Sequence, residues 1–223
     1  MLQKIRIVGS GRVGSAVAGR LRERGFVLRE DEADLVLLCV PDRAITEVAQ
    51  TVPLGPWIAH TSGATPLAQL DPHERRFGLH PLQSFTRARG PEQLDGAYAG
   101  VTAETDEARE VGFWLAGELG LDPFDLSDTE RALYHAGAAV ASNFLVTLHR
   151  AAADLVEAAG APPEALVPLM RRVIENDFEL TGPIERGDWE TVEAHLAAIH
   201  EHRPELEPLY RALADATKEL APR

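Results

Sequence analysis

Short apolar runs alternate with stretches of helical period through the first half of the chain. The candidate strands are Ile5–Val8, Leu35–Val40, Trp57–His60, Arg76–Leu79, Tyr98–Thr102 and Pro123–Leu126. Their near-continuous apolar character predicts strands buried on both faces, and hence a mostly parallel α/β sheet. From about residue 127 the pattern turns helical. Ser127–Glu130 reads "SDTE", which fits a capping box at a helix start. Leu133, Gly137, Val140, Phe144, Leu148, Ala151 and Leu155 then recur at spacings of three and four, on one face of a long helix ending near Gly160. Further helices are expected around 163–180, 188–202 and 204–220, with Pro204 separating the last two. The pattern therefore predicts an α/β domain over 1–126 and a helical domain over 127–223.

Gly9-Ser10-Gly11-Arg12-Val13-Gly14 lies between the first strand and an amphipathic helix expected over Val13–Arg24. This is the strand–turn–helix setting in which G-x-G-x-x-G binds a dinucleotide. The first glycine makes the turn, the second admits the pyrophosphate to the backbone, and the third lets helix and strand pack closely. The helix start adds free amides and a partial positive charge. A tight turn with no ligand would use the same glycines. The next segment is short: "FVLREDEAD" separates Gly25 from Leu35. It holds one stub of strand, Phe26–Arg29, and no crossover helix, although parallel strands normally need about a dozen connecting residues. The pyrophosphate half of a site is intact, and the adenosine half is cut down. Right-handed crossover would place Leu35–Val40 where a second strand normally lies, whereas its motif resembles a fourth strand on the other side of the first.

The chain has 223 residues, 45% hydrophobic and 26% charged, with a formal charge of −13. That charge argues against nucleic acid or an anionic membrane surface as main partner. A single cysteine, Cys39, suits a reducing compartment and reads as strand filler. With no apolar leader and no run of membrane-spanning length, a cytoplasmic protein is expected.

Other candidate groups sit at strand ends, on the rim where open α/β sheets bind ligands. Ser62 in "HTSGA" is suited to a carboxylate or phosphate. His80 in "LHPLQSF" is suited to donate a proton near a carbonyl. Both histidines, His60 and His80, can equally bond backbone at strand ends. Arg186 in "TGPIERGD" can clamp a substrate carboxylate or pair with Glu185 or Asp188. His135, Ser142 and Asn143 fall on one side of an ideal helix, about two turns from end to end.

Six stretches, "GSGRVGSAVAGRL", "ADLVLLCVPDRAI", "HTSGA", "LHPLQSF", "YHAGAAVASNFLVTL" and "LTGPIERGD", span nearly the whole length. In that order they resemble a Rossmann-like family of unknown function within the 6-phosphogluconate-dehydrogenase-like superfamily. Its better-known relatives are ketopantoate reductase, pyrroline-5-carboxylate reductase and prephenate dehydrogenase. The resemblance implies a Rossmann-like sheet, a helical carboxy-terminal domain and a homodimer formed through those helices. It also implies NADP or NAD as cofactor, with the Val40-Pro41 loop beside it, and the rim position of Ser62 places that residue near the nicotinamide as well. In several relatives the first long helix carries a Lys and an Asn that hold the substrate. This stretch has no Lys; His135 can take its place, with Asn143 as the amide and Ser142 and Arg186 facing the substrate, or His135 and Asn143 serve packing alone. The expected function is an NAD(P)-dependent reductase or dehydrogenase of a small anionic carbonyl or imine metabolite, with His80, His135 and Asn143 at the chemistry. The alternative is a non-catalytic dimer binding a nucleotide or phosphate metabolite in a degenerate site.

Overall fold

A computed structural model describes residues 2–221. The chain divides into two compact units, residues 1–142 and 143–223. The first contains strands β1 (Lys4–Val8), β2 (Val27–Leu28), β3 (Leu35–Leu38), β4 (Trp57–His60), β5 (Arg76–Leu82), β6 (Tyr98–Thr102) and β7 (Asp122–Asp125). They form one sheet in the order β2-β1-β3-β4-β5-β6-β7, parallel except that β6 runs antiparallel to β5. Successive apolar residues serve opposite faces. Leu35 and Leu37 join a core with Ile5 and with Ala16, Val17 and Leu21 of α1 (Arg12–Glu23). Val36 and Leu38 join a second core with Ile45 and Ala49 of α2 (Ile45–Gln50) and with Leu67 and Leu70. Helix α3 (Asp106–Leu119) covers the first face beside α1. Apolar runs without alternation are the consequence of this double burial. The architecture is Rossmann-like, followed by a helical region.

The stub β2 explains how the chain avoids a crossover helix. β2 pairs with Lys4 and Ile5 only, at the start of β1, and β3 begins level with Ile5 on the other side. Six residues, Arg29–Asp34, therefore pass beneath β1 without running back along a full strand. The Asp34 carboxylate fastens them by accepting from the Gln3 and Lys4 amides, both at 2.9 Å. β3 takes the side opposite β2, so the motif and not the crossover rule indicated its position. Strand order reverses between β1 and β3, which makes their carboxyl ends the switch point where such sheets bind ligands.

Two other expectations are corrected. Residues Asp128–Glu130 form a 3-10 turn and α4 begins at Arg131, running to Ala139. The Ser127 hydroxyl bonds Thr129 at 2.8 Å and caps nothing. The long helix is also interrupted by a π-turn over Val140–Phe144. One extra residue in that turn rotates the downstream helix by about 100°, so the regular spacing that aligned His135 with Ser142 and Asn143 does not hold.

The second unit contains α5 (Leu145–Ala158), α6 (Leu166–Glu175), α7 (Trp189–His202) and α8 (Glu207–Leu220). α5 ends where expected, with Gly160 at φ 78° and Ala161 N–H donating to Val156 O at 2.8 Å. Asp188 caps α7, accepting from the Thr191 amide at 3.1 Å and its hydroxyl at 2.7 Å. Among the described residues of this unit, the buried large apolar side chains are Val192, Leu196 and Ile199, all on α7. No helix among the described residues is long and apolar enough to cross a membrane.

Candidate functional site at the carboxyl rim of the sheet

The three glycines of the turn have three different physical jobs. Gly9 has φ 110°, and a Cβ there would lie 2.4 Å from the Cys39 carbonyl oxygen. A Cβ on Gly14 would lie 2.0 Å from Gly9 O, so this glycine sets how closely α1 meets β1. Gly11 has ordinary φ (−68°), and nothing lies within 4 Å of where its Cβ would be. Neither fold nor backbone requires a glycine at 11, and the space beside it is open. Gly11 is also the N-cap of α1, with no side-chain cap and no acidic residue in the first turn. The helix start thus offers its amides uncompensated, the condition for binding an anion. Val40 packs on the same turn, its Cγ1 3.3 Å from the position of a Gly9 Cβ. Pro41 precedes a 3-10 turn at Asp42–Ala44, in which the Asp42 side chain makes no cap. Burial raises the Cys39 thiol to about 12, which keeps it inert.

A second cluster joins β4, β5 and α4 on this rim. His80 Nδ1 is 2.8 Å from the Tyr134 hydroxyl, with the rings edge to face at 5.4 Å. The His135 ring lies 5.8 Å from that of His80. A Cβ on Gly63 would come within 2.6 Å of His135 and 2.9 Å of His80 Nε2, so the second imidazole nitrogen faces a space only glycine leaves open. Burial, then the neighbouring His135 and Arg131, lowers His80 to about 4, and the imidazole is neutral at pH 7. Arg131, at 1% exposure, donates to Thr102 Oγ1 at 2.6 Å and to the Ser62 carbonyl. It holds the 62–65 loop against β6 and carries a buried charge to which no carboxylate bonds among the described residues. Beside it His60 is fully buried with both ring nitrogens unpartnered, and burial followed by Arg131 lowers it to about 3.

No functionally curated protein matches the sequence. Residues 97–217, more than half of the chain, match the profile of the domain of unknown function DUF2520. The chain belongs to the DUF2520 family. The matched span contains α4 and most of the helical unit, ending within α8, and leaves out the glycine turn. Among solved structures, a candidate NADP oxidoreductase from Bacteroides fragilis superposes with a TM-score of 0.81 at 21% identity, over 97% of this chain and 98% of that one. A reductive aminase from Aspergillus terreus, in complex with NADPH and ethyl levulinate, gives 0.66 at 16% over 98% and 95%. Pyrroline-5-carboxylate reductase from Streptococcus pyogenes gives 0.64 at 17% over 97% and 96%. At these identities the likeness establishes the fold.

In this DUF2520 protein the structure brings together Gly9, Ser10, Gly11, Arg12, Val13 and Gly14 with Val40 and Pro41 at one end of the rim. Ser62, His80 and His135 meet at the other. Ser62 is spent within its own loop: its hydroxyl donates to Thr65 Oγ1 at 2.8 Å and accepts from the amides of Ala64 and Thr65. Ser142 donates to Ala138 O at 2.7 Å, back along its own helix. Asn143 and Arg186 are exposed residues of the second unit. Tyr134 and Arg131 escaped the sequence reading. Their signal was present, since Arg131, Tyr134 and His135 are three and four apart and share one helix face. The apolar stripe chosen instead starts at Leu133, which is 72% exposed.

Proposed function

We propose that this protein is an NAD(P)-dependent reductase or dehydrogenase acting on a small anionic carbonyl or imine compound. The observation that carries the reading is Gly11, a glycine the fold does not need, at the uncapped start of α1 on the switch point of the sheet. The residues fit a dinucleotide: the Gly9–Gly14 amides for the pyrophosphate, and Val40 and Pro41 along its path. Structural likeness to a candidate NADP oxidoreductase and to an NADPH-bound reductive aminase supports the same cofactor class.

A bound nicotinamide would supply the hydride, and a proton must then reach the substrate's oxygen or nitrogen. His80, a neutral imidazole at pH 7, is suited to hydrogen-bond that atom and stabilise its developing charge, the proton itself coming from water. With the Tyr134 hydroxyl donating to Nδ1, the hydrogen sits on Nε2, beside the Gly63 gap. Tyr134 positions the ring, and Arg131 fixes the loop that forms the gap. Arg186 and Asn143 keep the substrate roles their chemistry suits, a guanidinium for a carboxylate and an amide for a reacting oxygen.

Calorimetry with NADH and NADPH tests the cofactor. Binding of either supports the reading, and a folded protein that binds neither refutes it. With a substrate found by following nicotinamide oxidation, His80→Gln is expected to lower kcat by about 10²–10⁴, leaving dinucleotide affinity unchanged. Tyr134→Phe is expected to lower kcat by about tenfold, the worth of roughly one hydrogen bond, again without changing dinucleotide affinity.

Assembly is proposed on separate grounds. Leu145, Val146, Val167, Leu169, Val173 and Ile174 are exposed on α5 and α6, in a unit that buries few apolar side chains. A second copy of this chain is the occupant suited to such faces. Light scattering should give twice the chain mass, reduced to the monomer by Leu169→Glu. A monomeric wild-type protein would refute this.

A further inference from the structure

Beyond Ile5 no strand among the described residues pairs with β1 on the β2 side, and a cavity of about 640 Å³ opens along Arg6–Val8. Its floor is the free edge of β1 and one wall is α1, through Ser15, Ala18 and Arg22. The other wall is the short Leu28–Glu30 segment, and the cavity reaches Gly9, Ser10 and Gly14 of the turn. It thus begins where a pyrophosphate would lie and occupies the place a full second strand would have filled. Its volume is that of an ordinary small-molecule site.

Its charge is opposite to that of the chain. In a protein of formal charge −13, three arginines and a single carboxylate line this cavity. Glu30 lies 3.4 Å from Arg6 Nε and offsets that cation. Two neighbouring acids are committed elsewhere, Glu32 to Lys4 at 3.7 Å and Asp34 to the amides under β1. Arg22 and Arg29 make no ion pair among the described residues. They leave about two positive charges facing the cavity, the complement of a phosphomonoester at pH 7.

We infer that this cavity, created by shortening the second strand, receives the 2′-phosphate of an adenosine between Arg22 and Arg29, so that the protein selects NADP(H) over NAD(H). The inference rests on the proposed dinucleotide site and adds to it the choice of cofactor. A ribose with a free 2′-hydroxyl would call for a carboxylate acceptor, and the one at hand, Glu30, is held by Arg6. The cut-down adenosine half is then a rebuilt one, with its cations drawn from β1, α1 and the residue after the stub.

Calorimetric titration of the full chain with NADPH, NADH, 2′-phospho-AMP and AMP tests this. NADPH should bind at least about tenfold tighter than NADH, the scale of one charge-assisted contact, and 2′-phospho-AMP tighter than AMP. The Arg22→Ala/Arg29→Ala double variant should close that gap by weakening NADPH alone. Both side chains are exposed, so its melting temperature should match the wild type. Equal or tighter binding of NADH, or a double variant that weakens both dinucleotides alike, overturns the inference while leaving the oxidoreductase reading standing. Binding of neither dinucleotide by folded wild-type protein overturns the reading itself, and the inference with it.

Discussion

Gly14→Ala is expected to destabilise the fold strongly, while Gly11→Ala leaves the fold intact and weakens dinucleotide binding. A methyl on Gly14 would stand 2.0 Å from a carbonyl oxygen of the β1–α1 turn, a backbone atom that cannot swing aside. α1 must lift from the sheet, loosening the contacts of Ala16, Val17 and Leu21 with Ile5 and Leu35. Overpacking of this kind costs about 3 kcal/mol or more, a fall of roughly 6–12 °C in Tm for a unit of this size. At Gly11 the same methyl enters empty space at an allowed φ, and the weaker N-cap costs only about 0.5 kcal/mol. The methyl does, however, stand where a pyrophosphate must approach the α1 amides, so the NADPH dissociation constant should rise by about tenfold or more. Thermal unfolding and calorimetry on the two variants separate the roles. Wild-type NADPH affinity in Gly11→Ala would remove the main support for the proposed function. Wild-type stability in Gly14→Ala would show that α1 does not pack as described.

The same contrast shows how far the fold and the site were legible in the sequence. The strands were legible because double burial forces apolar runs, as at Leu35–Leu38 and Trp57–His60. The place of β3 followed from its motif and not from the crossover rule, because a two-residue β2 lets the chain turn back before the rule applies. The capping box failed for a tertiary reason. Asp128, next to Ser127, bonds the Leu67 amide at 3.0 Å, and that long-range contact shapes the turn. On α4 the apolar stripe misled, because the inward face is the polar one carrying Arg131 and Tyr134. Nothing in composition announces that an arginine will be buried. The π-turn at Val140–Phe144 likewise has no sequence signature, and it alters the phase on which the alignment of His135, Ser142 and Asn143 relied. The cavity beside β1 is the clearest case. The missing strand was visible in the spacing of Gly25 and Leu35, but Arg6, Arg22 and Arg29 come together only once the edge of β1 is known to be bare.

Acid should destabilise the first unit well before its carboxylates titrate. His60 is fully buried without a hydrogen-bond partner, and burial lowers it from 6.5 to about 3. Above pH 6.5 the histidine is neutral in both folded and unfolded chains, and stability is at its plateau. Below 6.5 the unfolded chain takes up a proton that the native chain refuses until about pH 3. Stability then falls by about 1.36 kcal/mol per pH unit for this one residue. At about pH 4.5, roughly two units below the ordinary value, His60 accounts for about 2.7 kcal/mol. His80, lowered to about 4, acts in the same direction, with less force because it is partly exposed. Asp34 and Asp125 are held below the ordinary carboxylate range by their partners, and their contribution is lost only below about pH 4. The interval from about 6.5 to 4.5 therefore isolates the histidines. His60→Leu fills a similar volume without a titrating group, and it should match or exceed the wild type at about pH 7, since it replaces an unpaired buried polar ring. Urea unfolding at about pH 7 and about pH 4.5 should show the wild type losing about 2.7 kcal/mol more than this variant between the two values. Equal losses would mean that water or a partner reaches His60 in the folded protein, and the fully buried, unpartnered position of His60 would have to be abandoned.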